Sequence, residues 1–147
     1  MTYTSPMQDY LVATLMSFML IAVCVTIHYE ALIQLERLRA RLQRHRWIIL
    51  FTVHGLILAH IAEIWIFGLG YFAAEHGLGL GEIVAADRDW FDYIYYSAMV
   101  YTTVGFGDLV PTGPLRMITA TEALAGLSLI TWSASFTFLQ MQRIWRV

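Results

Sequence analysis

The sequence contains no lysine, a single cysteine and few charged residues. All nine basic side chains are arginine, and charged residues make up 14% of the 147-residue chain, whereas a soluble domain carries about a quarter. Cys24 cannot form a disulfide within the chain because it has no partner. Three prolines and ten glycines are too few for a fibrous or low-complexity chain. These shortages exclude a disordered protein, a nucleic-acid-coating protein and a disulfide-stapled secreted domain, and the length predicts one domain.

What the sequence has instead is hydrophobic residues, 59% of the total, gathered into three long blocks. We place these blocks at 10–30, 47–74 and 115–141. A bilayer core about 30 Å thick needs about 20 helical residues to cross it, and each block is long enough. In lipid the backbone polar groups must bond one another, so the blocks are expected to be helices. The predicted fold class is an all-α membrane protein with three transmembrane helices.

The arginines indicate how the chain is oriented. The link 31–46 between the first two blocks, together with Arg143 and Arg146, holds seven of the nine. The positive-inside rule makes that side cytoplasmic, so we expect a plasma (inner) membrane protein with its N-terminus outside and its C-terminus inside. The arginine-rich link either serves topology alone or also binds anionic membrane lipids, and the sequence leaves both open.

The segment between the second and third blocks begins with an acidic, glycine-rich stretch. We place an extracellular turret at 75–89 and expect residues 75–87 to be irregular. Asp89 suits a helix N-cap, and Asp92 stands three residues on, as an acid does in a capping box. We predict a helix over 90–102 that is too short to cross the membrane. Backbone that stops halfway is tolerated only where protein buries it or where it lines water.

The short helix is followed by the motif Thr102-Thr103-Val104-Gly105-Phe106-Gly107-Asp108. A pore for a bare cation must replace the hydration shell of the ion with oxygens. Successive carbonyls can point at one axis when alternate residues take positive φ, which Gly105 and Gly107 do without steric cost. We therefore predict a selectivity filter over 103–108, with the side chains of Val104 and Phe106 packed behind it.

This motif resembles the signature of the potassium channel superfamily, Thr-Val-Gly-Tyr-Gly-Asp, with Phe106 in the tyrosine position. The resemblance covers residues 46–143 and is closest to small bacterial three-span members of the ion channel family. Those members carry three further features, found here as His60 with Glu63, Glu122 to Gly126, and Trp132-Ser133. The resemblance implies a K⁺-selective channel with K⁺ as the permeant ion and no other cofactor. Its ion sites would be formed by Thr103, Val104, Gly105, Phe106 and Gly107.

Two departures from the superfamily pattern affect the filter surroundings. Phe106 lacks the phenol hydroxyl with which tyrosine braces the filter. Met99 lies in the predicted helix 90–102, which we call the pore helix. It occupies the position where some potassium channels carry a glutamate that bonds the aspartate after the filter. Asp108 must therefore find another partner.

One filter strand cannot encircle an ion, and the chain holds a single copy. Four chains are therefore required, and a homotetramer with cyclic symmetry is expected.

The sequence shows no phosphate-binding loop, zinc-ligand spacing or activated nucleophile. We therefore expect that the protein is not an enzyme and that it binds neither nucleic acid nor a small-molecule substrate. No block carries arginine at every third position, which argues against a voltage sensor. The alternatives are a less selective monovalent cation channel and a non-conducting membrane sensor or subunit.

Several polar residues lie inside the apolar blocks. His60 and Glu63 share a helix face and are interpreted as a proton-sensitive pair, a bond to the pore helix, or packing between spans. Two ligands on one helix make no metal site. Glu122 is expected to face the back of the pore helix. Other side chains are expected at the membrane interfaces: His28, His45, His54, Trp47, Tyr71, Trp90 and Trp145.

The last block is expected to hold the gate. Gly126 is a candidate hinge, and Ile130, Ala134 and Phe138 recur at i, i+4 and i+8 on one helix face. If that face lines the pore, rings of Phe138 could close it by excluding water. A competing register turns the other face toward the axis and places Phe138 against lipid or the first span; that face carries Ser128, Thr131 and Ser135.

Overall fold

Long helices dominate the structure, a computed structural model that describes residues 6–42, 47–84 and 89–145. The elements in chain order are α1 (Pro6–Leu42), α2 (Trp47–His76), β1 (Ile83–Val84), α3 (Phe91–Tyr101), β2 (Val110–Pro111) and α4 (Leu115–Trp145). Three stretches are long and apolar enough to cross a membrane: Met7–Arg41, Trp47–His76 and Leu115–Arg143. The predicted fold class, an all-α membrane protein, is confirmed.

The first helix extends further than the apolar block 10–30. It continues as α1 to Leu42, so the described part of the arginine-rich link 31–46 is helical. The reason is local: this stretch has no glycine or proline, and Arg39 Nη2 bonds Glu36 Oε1 at 2.5 Å, one turn away. Other positions named in the sequence analysis lie outside the described residues: 43–46 with His45, the first five residues, and Arg146.

The short helix α3 lies between α2 and α4, while α1 packs against α2 and α4. With 11 residues α3 is about 16 Å long, which is about half of the hydrocarbon core. On α4 the side facing the rest of the chain is a stripe of buried residues: Ile118, Glu122, Ala125, Gly126, Leu129, Ser133 and Gln140. These contacts hold the half-span helix within the helical bundle.

The turret is more ordered than its glycine content suggested. α2 runs on to His76, and β1 pairs antiparallel with β2, with Ile83 opposite Pro111. Further backbone bonds join the two sides, from Thr112 N to Glu82 O at 2.8 Å and from Leu115 N to Leu80 O at 3.2 Å. The expectation of an irregular segment over 75–87 is confirmed for 77–82, which form turns and no regular element. It was wrong for 75–76, which end α2, and for 83–84, because strand pairing joins residues far apart in sequence. The remaining positions, 85–88, lie outside the described residues.

The expected capping box at the start of α3 is half formed. Asp89 N donates to Asp92 Oδ2 at 2.8 Å, which is the contact that the acid makes in such a box. The Asp89 carboxylate accepts a bond from Trp90 N at 2.6 Å, and Trp90 holds the N-cap position with no side-chain bond of its own. The helix therefore begins at Phe91, one residue later than predicted.

Candidate functional site

The segment after α3 has alternating backbone handedness. Thr103, Gly105 and Gly107 take positive φ values of 59°, 53° and 79°. The two glycines behave as the sequence predicted. The positive φ of Thr103 was not predicted, because a β-branched residue is strained in the left-handed region of backbone conformation. The alternation could have indicated it, since 103 precedes 105 and 107 in the same series of alternate positions.

Backbone hydrogen bonds attach this segment to the end of α3, the pore helix. Thr103 N donates to Val100 O at 2.9 Å, and Gly105 N donates to Met99 O at 3.1 Å. Thr102 Oγ1 donates to Ala98 O at 2.6 Å. The last carbonyls of α3 thus hold the start of the segment 103–108, the predicted filter, and the N–H of Thr103 is hydrogen-bonded despite the strain at this residue.

Residues 102–108 are exposed within one chain. The Val104 side chain is 52% exposed and the Phe106 side chain 72%. The expected packing of these two side chains behind the filter is therefore not made within the chain. The physical reason is that α2 and α4 cover the other side of α3 and leave the filter face of the chain open.

Asp108 finds the partner that Met99 cannot provide. Tyr95 OH, from the pore helix, donates to Asp108 Oδ2 at 2.9 Å. The carboxylate that accepts this bond raises the pKa of the Tyr95 phenol. Met99 is half-buried and takes part through its backbone carbonyl. Asp108 is thus held to α3 by Tyr95, a contact that was not predicted from the sequence.

Glu122 faces the back of the pore helix, where the sequence analysis expected it. Ser97 Oγ of α3 lies 2.5 Å from Glu122 Oε1, and Tyr71 OH of α2 lies 2.5 Å from Glu122 Oε2. All three side chains are buried. The interfacial role expected for Tyr71 was wrong, because its phenol is needed to satisfy a buried carboxylate. Glu122 therefore connects α4 to both α2 and α3.

A second buried group, which we call the intramembrane cluster, comprises His28, His60, Glu63, Tyr101 and Ser133. The Glu63 carboxylate contacts His28 Nδ1 at 2.9 Å through Oε1 and His60 Nδ1 at 3.1 Å through Oε2. Tyr101 OH donates to Glu63 Oε2 and lies 2.8 Å from His60 Nδ1. Ser133 Oγ is 3.0 Å from Nε2 of His60 and 3.2 Å from Nε2 of His28. The cluster joins all four helices of the described chain.

The interfacial role expected for His28 was wrong. Its side chain is fully buried, because Glu63 on the neighbouring helix offers it a carboxylate. His54 is exposed and bonds Leu50 O at 2.7 Å. His60 and Glu63 were predicted from the sequence, whereas Tyr101 and Ser97 were not. Those two residues are four apart in α3, so their hydroxyls share one helix face, and this spacing is a signal that could have found them.

Gly126 is where α4 comes closest to the end of the pore helix. A Cβ at this position would lie 2.2 Å from Tyr101 O and 3.0 Å from Tyr101 Cα. α4 continues through it without a break. The structure therefore gives this glycine a packing role, and its role as a hinge stays a prediction.

Both candidate gate faces of α4 are exposed within one chain. Ile130, Ala134 and Phe138 are exposed together on one face, and Phe138 is 58% exposed. That exposure excludes burial of Phe138 against α1. The competing face is exposed as well; it carries Ser128, Thr131 and Ser135.

Three spanning helices, a half-span helix and a glycine-rich strand at its end define a pore-loop channel of the membrane. Residues 48–143 match the family model described as Ion channel. The chain belongs to this ion channel family, which agrees with its resemblance to the potassium channel superfamily. No curated protein and no solved structure matches the chain. The match includes α3, the segment 103–108 and most of α2 and α4, and it leaves out α1.

Proposed function

We propose that the protein is a potassium-selective channel that lets K⁺ cross the plasma membrane passively through a filter built by four copies of the chain. The observation that carries this proposal is the backbone of residues 103–107. Positive φ at every second residue gives a strand whose carbonyls can share one direction. Carbonyls of Thr103, Val104, Gly105 and Phe106, with the Thr103 hydroxyl, would line consecutive sites for dehydrated K⁺.

The exposure of the filter supports the tetramer. A segment with strained backbone and large apolar side chains such as Phe106 is exposed along one face of a single chain. Large exposed apolar patches mark surfaces that bind a partner. Four-fold symmetry would bring the filter strands to a common axis and cover these side chains with neighbouring copies.

Charge at the outer mouth also favours a cation. Asp108 follows the filter directly and is positioned by Tyr95. Four copies would place a ring of carboxylates at the entrance. Such a ring raises the local concentration of cations and their rate of entry.

The test is ion flux in liposomes that contain only the purified protein. With K⁺ inside and Na⁺ outside, we expect a membrane potential that follows the K⁺ gradient. Gly105→Ala should abolish the flux, because a Cβ opposes the positive φ on which the ion sites depend.

The matched control is Gly79→Ala. Gly79 also has positive φ, 62°, and also has open space around it, but it lies in the turret. It should keep K⁺ flux. A potential that follows the Na⁺ gradient, or normal flux in the Gly105 variant, would contradict the proposal.

A further inference from the structure

The intramembrane cluster contains a set of metal-ligand atoms that does not depend on the filter. The side chains of His28, His60 and Glu63 each offer a ligand atom, and these atoms lie within 4.8 Å of one another. They come from two helices, α1 and α2. Two ligands on one helix do not make a metal site, but His28 of α1 supplies a third ligand. The sequence had predicted His28 at the membrane interface.

We propose that this cluster binds one divalent transition-metal ion of the zinc type. Its ligands would be Nδ1 of His28, Nδ1 of His60 and a carboxylate oxygen of Glu63. Two imidazoles and one carboxylate are a common zinc ligand set that leaves a fourth position open. Tyr101 OH lies 2.8 Å from His60 Nδ1 and donates to Glu63.

The spacing of the ligand atoms is close to what zinc needs. Zn²⁺ holds nitrogen and oxygen ligands at about 2.0–2.2 Å, so that neighbouring ligand atoms of a tetrahedral site lie about 3.3 Å apart. The distances to the two Nδ1 atoms are 2.9 Å from Glu63 Oε1 and 3.1 Å from Glu63 Oε2. The three ligand atoms lie within 4.8 Å of one another, so the side chains would draw together around the ion.

The outer nitrogens of both imidazoles already have the support that metal-bound histidines require. A ligating histidine donates its other N–H to an oxygen, which fixes the orientation of the ring. Ser133 Oγ lies 3.0 and 3.2 Å from the two Nε2 atoms. A hydroxyl oxygen has two lone pairs and can accept both N–H groups.

The charge of Glu63 fits a bound cation. The Glu63 carboxylate is fully buried, and a buried charge is costly unless it is paired. A cation held between the carboxylate and the two Nδ1 atoms would neutralise it.

The site would join the first span to the rest of the chain. The side chains of His28 and Glu63 are fully buried, and that of His60 is 17% exposed within one chain. The bound ion would fasten α1, which lies outside the matched family region, to α2. Through Tyr101 and Ser133 it would also act on the pore helix and on α4.

The experiment measures metal on the purified protein in detergent, with any affinity tag removed. The protein is stripped with a chelator, loaded with Zn²⁺, desalted and analysed by mass spectrometry of its metals. We expect about one Zn²⁺ per chain. Loading with Co²⁺ instead should give the visible absorption of a tetrahedral site.

Two variants test the ligand assignment. His28→Asn keeps an N–H that can bond Glu63 but removes the imidazole, and it should weaken Zn²⁺ binding more than about 100-fold. Ser133→Ala, which removes only the outer support, should weaken it about 10- to 100-fold. Helicity and tetramer elution show that each variant is folded.

The matched control is His54→Asn, which removes an exposed histidine of α2 and should bind Zn²⁺ as the natural chain does. Absence of Zn²⁺ from the natural chain, or unchanged binding by a folded His28→Asn variant, would overturn the proposal. Both readouts are binding measurements, so they are independent of whether the pore selects K⁺.

Discussion

At the scale of single residues, Gly126 decides how closely two helices approach. The space that a side chain would need is taken by the backbone of Tyr101, the last residue of the pore helix. Backbone cannot move aside as the end of a side chain can. Any residue larger than glycine must therefore displace either α4 or the helix that carries the filter.

Gly126→Ala is accordingly expected to destabilise the protein and to reduce the K⁺ flux proposed above. Overpacking of this kind costs about 1–3 kcal/mol. Thermal unfolding of the detergent-solubilised protein measures the loss. Gly55→Ala is the control, since its Cβ would meet only the end of a flexible side chain, Leu35 Cδ2, at 2.7 Å.

The hinge hypothesis makes a different prediction for the same variant. If Gly126 is needed for bending alone, the alanine variant should unfold at the temperature of the natural chain and differ only in open probability. That outcome would contradict the packing role.

The sequence predicted the local features of the site well. Positive φ at Gly105 and Gly107 follows from residue type, and the contact of Glu122 with the pore helix follows from the cost of a charge within a span. The positions of His28 and Tyr71 did not follow. Each depends on a carboxylate contributed by another helix, and one sequence does not tell which helix that is.

At the scale of elements, two faces of α4 are candidates to line the pore. One face carries Ile130, Ala134 and Phe138, and neither this face nor the competing face is buried within the chain. A short β pairing shows the same limit of sequence reasoning. Strands of two residues, Ile83–Val84 and Val110–Pro111, have no hydrophobic period to detect.

Phe138→Ala is expected to raise the open probability in single-channel recordings. Four phenyl rings near the cytoplasmic end would exclude water from a narrow pore, and removing them widens it. Thr131→Ala, on the competing face, should leave gating unchanged. Unchanged gating in the Phe138 variant together with a large effect at Thr131 would favour the second register.

At the scale of the whole molecule, α1 is attached to α4 at two levels. One is Ser133 with His28, at 3.2 Å. The other lies near the arginine-rich end, where Gln140 Nε2 and Arg143 Nη1 donate to the Glu36 carboxylate at 2.5 and 3.2 Å. The first span is thereby fixed to the helix that holds the candidate gate.

The orientation of this assembly in the membrane is predicted by its arginines. Arg41→Cys should react with an impermeant maleimide only after the cells are permeabilised, whereas Leu78→Cys in the turret should react on intact cells. Both positions are exposed in the chain. The natural chain is the control, because its lone Cys24 is buried. Labelling of Arg41→Cys on intact cells would contradict the predicted topology.

The two buried carboxylates also bear on how the protein is made. Each has partners earlier in the chain, His28 and His60 before Glu63 and both Tyr71 and Ser97 before Glu122, while Tyr101 is a later partner of Glu63. A charged side chain near the middle of a span costs about 2.5–3.5 kcal/mol during insertion when nothing compensates it. A nascent chain emerges N-terminus first, so each glutamate leaves the ribosome when a group that can bond it has already been synthesised. The order of the sequence thus provides for the insertion of its own most costly residues.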